Sequence, residues 1–419
     1  MAKVVETTSL NYFNHGNNTW RTRQVNPSGL YSLLALAPQY IGAFIPEPGS
    51  HGAWDGSYTQ YTQRLALSSA NGRLFVTGRS QGTGGVRWAG EFQIPNLSSS
   101  LNINDLPLGL NTQDYRSVDA AASDISNPII SGMLEVNGEL ILCAFEHYDA
   151  NGSETKNVYV FSDARNIANT VKGAFAVDGG ARAGGYILPI PAAYQASFGG
   201  RTHFIGGGVG MAIADRASMG PNFYAVNAQD ILDASTPGES IAAAICSNYP
   251  HGDGTMLIGN ETQQSGDANV SLITQLTTSN IWNVLTRVGG VIHIPGTRTL
   301  MVLGHSWDGR GTVGYKITNE TGYTYPGYGP SLSDAYMNAY WLFDINDLID
   351  AFNGTIQPHE VYPYEYGQFP FFPYSTPGKR ITGACYDEAS DRLYVSLGYG
   401  ASGRYNNGTP VIAALSLGI

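Results

Sequence analysis

The chain holds 419 residues, 42% hydrophobic and only 13% charged, with 52 Gly and 26 Tyr. That balance excludes helix bundles, which are built from Glu, Lys, Ala and Leu, and suits an all-β protein with many turns. A formal net charge of -11, with 22 basic residues and no basic run, argues against a nucleic-acid partner, because phosphate neutralisation requires clustered Lys and Arg.

The start, Met1-Ala2-Lys3-Val4-Val5-Glu6-Thr7, has no apolar stretch of the secretory kind. No run reaches the roughly 18 apolar residues of a membrane-spanning helix, so membrane insertion is not expected. Asn-x-Ser/Thr triplets such as Asn151-Gly152-Ser153 read as turn residues. The composition suits the cell exterior while the start suits the cytosol. A phage virion protein released by lysis reconciles the two; a mature secreted protein behind a new Met is the alternative. Cys143, Cys246 and Cys385 are far apart, lie in or beside apolar runs and lack metal-ligand spacing. They are expected to be buried free thiols.

Residues 1–50 are irregular and rich in Asn, Gly and Pro, and one end of such a chain can supply the strand that closes a ring of sheets. Residues 51–419 read as a single β domain. Its first unit runs from Leu65-Ala66-Leu67 through the turn Ala70-Asn71-Gly72 to Arg73–Gly78, then a Gly-rich loop, then Trp88–Ile94. The second has Gly132–Val136, the turn Asn137-Gly138, Glu139–Phe145 and, further on, Asn157–Ser162. The third is divergent: Gly185–Pro191, then Gly206–Ala214, then Phe223–Asn227. A polar insertion at about 251–279 reads as an exposed loop. The fourth has Val288–Ile294, the turn Pro295-Gly296-Thr297-Arg298, Thr299–His305 and Ala339–Asp344; the fifth has Ile381–Asp387, Arg392–Tyr399 and Val411–Leu417. Short β-rich runs bounded by Gly, Pro, Asn and Asp are the hairpin signal.

Five copies of hairpin, Gly-rich loop and outer strand result. One such sheet cannot bury both faces alone, so the copies must pack on one another. Radial packing into a β-propeller does this and leaves only short edges. Five blades are expected. The long spacing leaves room for six or seven, and a β-sandwich with long insertions is the alternative fold.

Three sets of residues carry a resemblance. They are Ile190-Pro191-Ala192-Ala193-Tyr194-Gln195 with Phe198-Gly199-Gly200; Tyr340 to Leu348 with Gly354, Gln357-Pro358 and Glu360-Val361; and Gly383-Ala384-Cys385-Tyr386-Asp387 with Arg392-Leu393-Tyr394-Val395-Ser396. On these the C-terminal half resembles an uncharacterised bacterial and phage β-propeller family. The resemblance implies fold and transfers no activity. In general shape the chain is also similar to propeller glycosidases and polysaccharide lyases, whose catalytic motifs are not matched residue by residue.

Aligned units place Arg79, Glu146 with His147 and Tyr148, His305 with Trp307, and Tyr399 at the end of the same strand, where they would converge on one end of the propeller axis; Arg201 and His203 are expected to join them. Arg beside a uronic acid would neutralise its carboxylate, and His or Tyr could move the acidified proton, which is lyase chemistry. The candidate catalytic set is thus His147, Tyr148, Arg79, Arg201 and His305, against the reading that each is a polar residue bonding local backbone. A hydrolase would need two carboxylates, from Asp55, Asp119, Glu146 and Asp215. Binding candidates are Trp54, Asp55, Glu146, His203, Trp307 and Tyr399. Tyr58, Tyr61, Tyr315 and the run from Tyr362 through Tyr364, Tyr366, Phe369, Phe371, Phe372 and Tyr374 add aromatic density, suited to stacking on sugars or to packing between blades. No phosphate loop and no metal site is read; Asp344-Ile345-Asn346-Asp347 reads as a cap or turn. Whether a cofactor is bound is left open by the sequence. The expected role is a virion or cell-exterior protein binding surface polysaccharide, with a polysaccharide-cutting enzyme and a structural virion component that contacts other virion proteins as rivals.

Overall fold

The computed structural model describes residues 9–14, 19–24, 29–33, 37–49, 51, 64–78, 87–121, 125, 128–146, 154–207, 221–249, 282–283, 285–325, 328–376, 378–401, 404–405 and 409–419. They form an all-β, five-bladed propeller. Blade I runs from inside to outside through Leu65–Leu67, Arg73–Gly78, Trp88–Gln93 and Asn111–Ser117. Blade II uses Pro128–Val136, Glu139–Glu146, Val158–Phe161 and Val171–Val177. Blade III uses Tyr186–Pro189, His203–Gly206, Phe223–Val226 and Ala244–Ser247. Blade IV uses Arg287–His293, Thr299–Trp307, Tyr336–Asp344 and Glu365–Gln368. Blade V uses Arg380–Asp387, Arg392–Gly398, Val411–Ser416 and, as its outer strand, Gln39–Pro46.

Thus a strand from near the start of the chain completes the blade built by its end, with Ile412 paired to Phe44 and Ala413 to Ala43. Two crossovers stitch neighbouring blades. Leu108–Gly109, from the connection before blade I's outer strand, pairs in parallel with Ile45–Pro46 of blade V. Ser240–Ile241, from the same connection in blade III, pairs in parallel with Ala176–Val177 of blade II. Both cover an outer edge that would otherwise expose backbone donors and acceptors.

Strand periodicity explains the cores. Successive side chains point to opposite faces, so Leu140 and Leu142 pack towards blade I with Phe75 and Ala66, while Ile141 and Cys143 pack towards blade III with Ile187 and Ile205. Every blade does this, giving five apolar layers, each between consecutive blades and the last between V and I. The innermost strands touch in a closed ring, blade I to II to III to IV to V and back to I. Two glycines make the approach possible: a Cβ on Gly132 would lie 2.5 Å from the Tyr186 Cα, and one on Gly290 would lie 2.4 Å from the Ala384 carbonyl oxygen.

Three features differ from the sequence reading. Each blade has a fourth strand that the three-strand repeat omits. The aromatic run after Tyr362 contains one, Glu365–Gln368, whose alternation is masked by Gly and Pro. In blade III the second strand is His203–Gly206, not a run within 206–214; the stretch before it is taken up by the helix Ala192–Gln195 and a 3-10 turn ending at Gly199 and Gly200, both left-handed. Finally, third strands of blades III and IV exit into helices, Ala228–Asp233 and Ile345–Phe352, the latter capped by the Asp344 side chain accepting from the Asn346 N–H at 2.9 Å. Among the described residues no helix is long and apolar enough to cross a membrane.

Candidate functional site

The two ends of the propeller are unlike. At one end first and second strands are joined by tight turns such as Asn137-Gly138, both with positive φ, and Asp391. At the other end the first strands begin and the second strands finish. Residues 79–86, 147–153, 208–220 and 250–281, whose described neighbours include strand termini at this second end, lie outside the described residues.

Three arginines stand at this axial mouth, at the first position of three inner strands: Arg64 just before Leu65 in blade I, Arg287 in blade IV and Arg380 in blade V. Arg64 is buried, 4% exposed, and its guanidinium donates to the Val288 carbonyl. Blades I and IV are not neighbours in the ring, so this side chain reaches across the axial channel. Burial and the nearby Arg287 push its ionisation down to about 9. Arg380 sits over Tyr336, with its guanidinium carbon 3.5 Å from the ring centroid.

His305 sits opposite Arg287 in the register and is buried. Its Nδ1 lies 3.0 Å from the Ile381 carbonyl oxygen. A carbonyl only accepts, so Nδ1 carries the proton and Nε2 keeps its lone pair. Burial first, then Arg380, Arg287 and Arg64, hold this imidazole well below its usual range, so it is neutral at pH 7. The Tyr336 ring stands edge-on to it, 6.2 Å between centroids.

Beside this cluster a cleft of about 100 Å³ opens along the seam of blades IV and V, lined among others by Tyr336, Asn338, Gln368, Phe371, Thr376, Lys379 and Arg380. Asn338 pins the seam, accepting from the Ile381 N–H at 2.7 Å and donating to the Lys379 carbonyl at 3.1 Å. The Lys379 ammonium is tethered to the carbonyls of Tyr399 and Gly400, and burial lowers its ionisation. Phe371 is 75% exposed. The side chains of Gln368 and Thr376 make no hydrogen bond among the described residues.

Of the residues expected from sequence, Arg79, His147, Tyr148, Trp54, Asp55, Asp215, Tyr58 and Tyr61 lie outside the described residues, as does the Tyr315 side chain. Glu146 lies at the mouth, buried, at the end of its strand opposite Pro128. Tyr399 lies there too, in a left-handed turn. Trp307 is at the same end but is only 3% exposed, and its indole N–H donates to the Arg310 carbonyl at 2.7 Å, so it anchors a loop and offers no open ring face. Arg201 and His203 do not join the cluster. They are at the opposite end, where His203 begins its strand opposite Pro189 and Arg201 stacks 5.4 Å from the Phe352 ring. The alignment failed because it took the Gly206 run for the strand that His203 begins. Asp119 is paired with Arg87 at 3.1 Å, leaving Glu146 as the one carboxylate of the expected hydrolase set seen buried at the mouth among the described residues. Sequence reading missed Arg64, Arg287, Arg380 and Tyr336. The signal was there: Arg64-Leu65, Arg287-Val288 and Arg380-Ile381 repeat one position before or at the start of the inner strand.

No family model matches the chain, and no curated protein matches it. Among solved structures it is similar to a protein described as a glycosidase from Bacteroides thetaiotaomicron, at 13% identity and a TM-score of 0.44, covering 91% of this chain and 97% of that one. It is also similar to a structure from the GH130 family of mannoside phosphorylases, which contains glycoside hydrolases that target beta-1,2 mannosidic linkages in Candida mannan, at 14% identity and a TM-score of 0.40, covering 92% and 96%. A third is the catalytic domain of the Coprinopsis cinerea GH62 alpha-L-arabinofuranosidase, at 10% identity and a TM-score of 0.36, covering 90% and 97%. At these identities and scores the likeness assigns this chain no residue, substrate or activity.

Proposed function

We propose that the protein recognises a saccharide at the axial mouth, on a virion or another cell-exterior surface. The observation that carries this reading is the seam cleft. It combines an open aromatic face, Phe371, with the uncommitted amide of Gln368 and hydroxyl of Thr376, and it leads to the ring of Tyr336 and the fork of Arg380. An apolar ring face with a few convergent polar groups is the composition that holds a sugar, whose C–H face stacks while its hydroxyls bond.

A second reading, a polysaccharide-cutting lyase, is favoured by His305. A neutral imidazole with an available Nε2, beside Tyr336 and guanidinium groups, has the parts for proton abstraction next to a neutralised carboxylate. A hydrolase has less support, with Glu146 the single buried mouth carboxylate of its set among the described residues and Asp119 paired with Arg87.

The test is incubation with a panel of acidic and neutral polysaccharides, reading binding, new reducing ends and the ultraviolet absorbance of unsaturated uronates. Recognition predicts binding that Phe371→Ala weakens about tenfold, the worth of one aromatic contact near 1.4 kcal/mol. Absorbance lost in His305→Ala would establish the lyase. Binding to no polysaccharide would sink both and leave a structural virion component.

A further inference from the structure

We propose that the inner end of this mouth is an oxyanion site, formed by Arg64, Arg287 and Arg380, that selects a saccharide bearing a carboxylate, as in a uronic acid. The proposal rests on the saccharide reading above and names the class of sugar.

Position comes first. The three arginines stand at the starts of three consecutive inner strands in the ring, IV, V and I, and all three lie close enough to His305 to act on its charge. The buried Nε atoms of both Arg64 and Arg380 have no acceptor among the described residues. Among the described residues the Arg64 fork has a single partner, the neutral Val288 carbonyl. A carbonyl dipole does not offset a buried positive charge with other cations nearby, and an uncompensated buried ion costs several kcal/mol. This occurs in a chain of net charge -11, where carboxylates outnumber cations 33 to 22. No described carboxylate is hydrogen-bonded to Arg64.

Chemistry comes second. A guanidinium presents a planar fork of donors that matches the two oxygens of a carboxylate. Contact with the Tyr336 ring holds the Arg380 guanidinium, and the bond to the Val288 carbonyl holds that of Arg64. Two forks held in place near His305 are prepared before the ligand arrives, so little conformational freedom is lost on binding. A breach of the rule against burying unpaired charge is expected where function requires it. The seam cleft beside the cluster gives the rest of the sugar chain a place to lie.

The experiment compares oligogalacturonate and alginate oligomers with the same oligomers after carboxyl reduction, which keeps the linkages and replaces each carboxylate by a hydroxymethyl group. Inorganic phosphate is titrated separately, and all are read by calorimetry on the full chain. We expect at least one acidic oligomer to bind about tenfold or more tightly than its reduced form, as a charge-assisted hydrogen bond implies. Arg64→Met should bring the two to the same affinity, and Arg380→Gln, at a half-buried position that is easier to substitute, should do the same. Equal affinity for acidic and reduced oligomers would overturn the proposal while the saccharide reading stood. Arg64-dependent binding of phosphate with no oligomer bound would uphold the oxyanion site and overturn the saccharide reading and with it the uronic acid. Preference for the acidic oligomer that survives both substitutions would overturn the assignment to these residues. No binding of any ligand would overturn both.

Discussion

Closure of the ring makes a quantitative prediction at Phe44. This residue lies on the strand that closes blade V and is 0% exposed. It packs in the layer between blades V and I, with Leu65, Leu74, Val76 and Phe92 on one side and Ile412 and Ala414 on the other. Gly109 approaches so closely that an added Cβ would stand 2.8 Å from the Phe44 ring. A buried aromatic side chain removes about 150–250 Å² from water, worth about 4–6 kcal/mol at ~25 cal/mol per Å². Alanine keeps a little of that and leaves a cavity that a layer held on both faces cannot collapse to fill, so Phe44→Ala should cost about 3–5 kcal/mol. Leu101, 76% exposed, is the control, and Leu101→Ala should stay within about 0.5 kcal/mol. Urea unfolding followed by both far-ultraviolet circular dichroism and tryptophan fluorescence gives both values, with coincident transitions required before they are compared. A loss at Phe44 no larger than at Leu101 would show that the strand near the start of the chain does not close the propeller.

Two further outcomes follow from the same geometry. His203 is pushed down to about 4 by burial, and His305 is held well below its usual range by burial and Arg380. In the unfolded chain both take a proton near pH 6.5, so below that pH the unfolded state binds more protons and stability falls as pH falls. Between pH 7 and pH 5 His203 alone should cost about 1–2 kcal/mol, and His203→Gln should flatten the melting-temperature profile in that window. An unchanged profile would refute the burial argument. Asp344 both caps its helix and pairs with Arg298, at 3.1 Å from Nε and from Nη2. Asp344→Ala should lose about 2–3 kcal/mol, and Asp344→Asn, which keeps the cap oxygen, about half of it; an Asp344→Asn variant as stable as the parent in thermal unfolding would show that the ion pair contributes nothing, and equal losses in the two variants that the cap contributes nothing.

Much of the blade pattern was legible because it is local. Leu140 to Ala144 alternate between two layers, and Asn137-Gly138 can adopt the left-handed conformations its turn requires, so hairpins could be read without knowing their neighbours. The fourth strands were not. Glu365–Gln368 contains Gly367 and is flanked by prolines, and its place is set by pairing with Tyr340 and Trp341 rather than by its own composition. The site was legible in part. Strand-end alignment put Glu146, His305 and Tyr399 at one end, but Arg201 and His203 went to the wrong end because the second strand of blade III begins at His203, not at Gly206. Trp307 shows the limit of residue type: a tryptophan at a mouth can be a sugar platform or, as here, a buried loop anchor, and only its surroundings distinguish them.

By itself the sequence determined an all-β chain of five repeated hairpin units, since alternation and turn chemistry act over a few residues. Only the tertiary structure decided that residues 39–46 close the last blade, and that Arg64 reaches Val288 across 224 positions of sequence to meet Arg287, Arg380 and His305. These are products of ring closure. A side chain's chemistry is written in its own residue, but which charges share an axis depends on how every blade packs against the next.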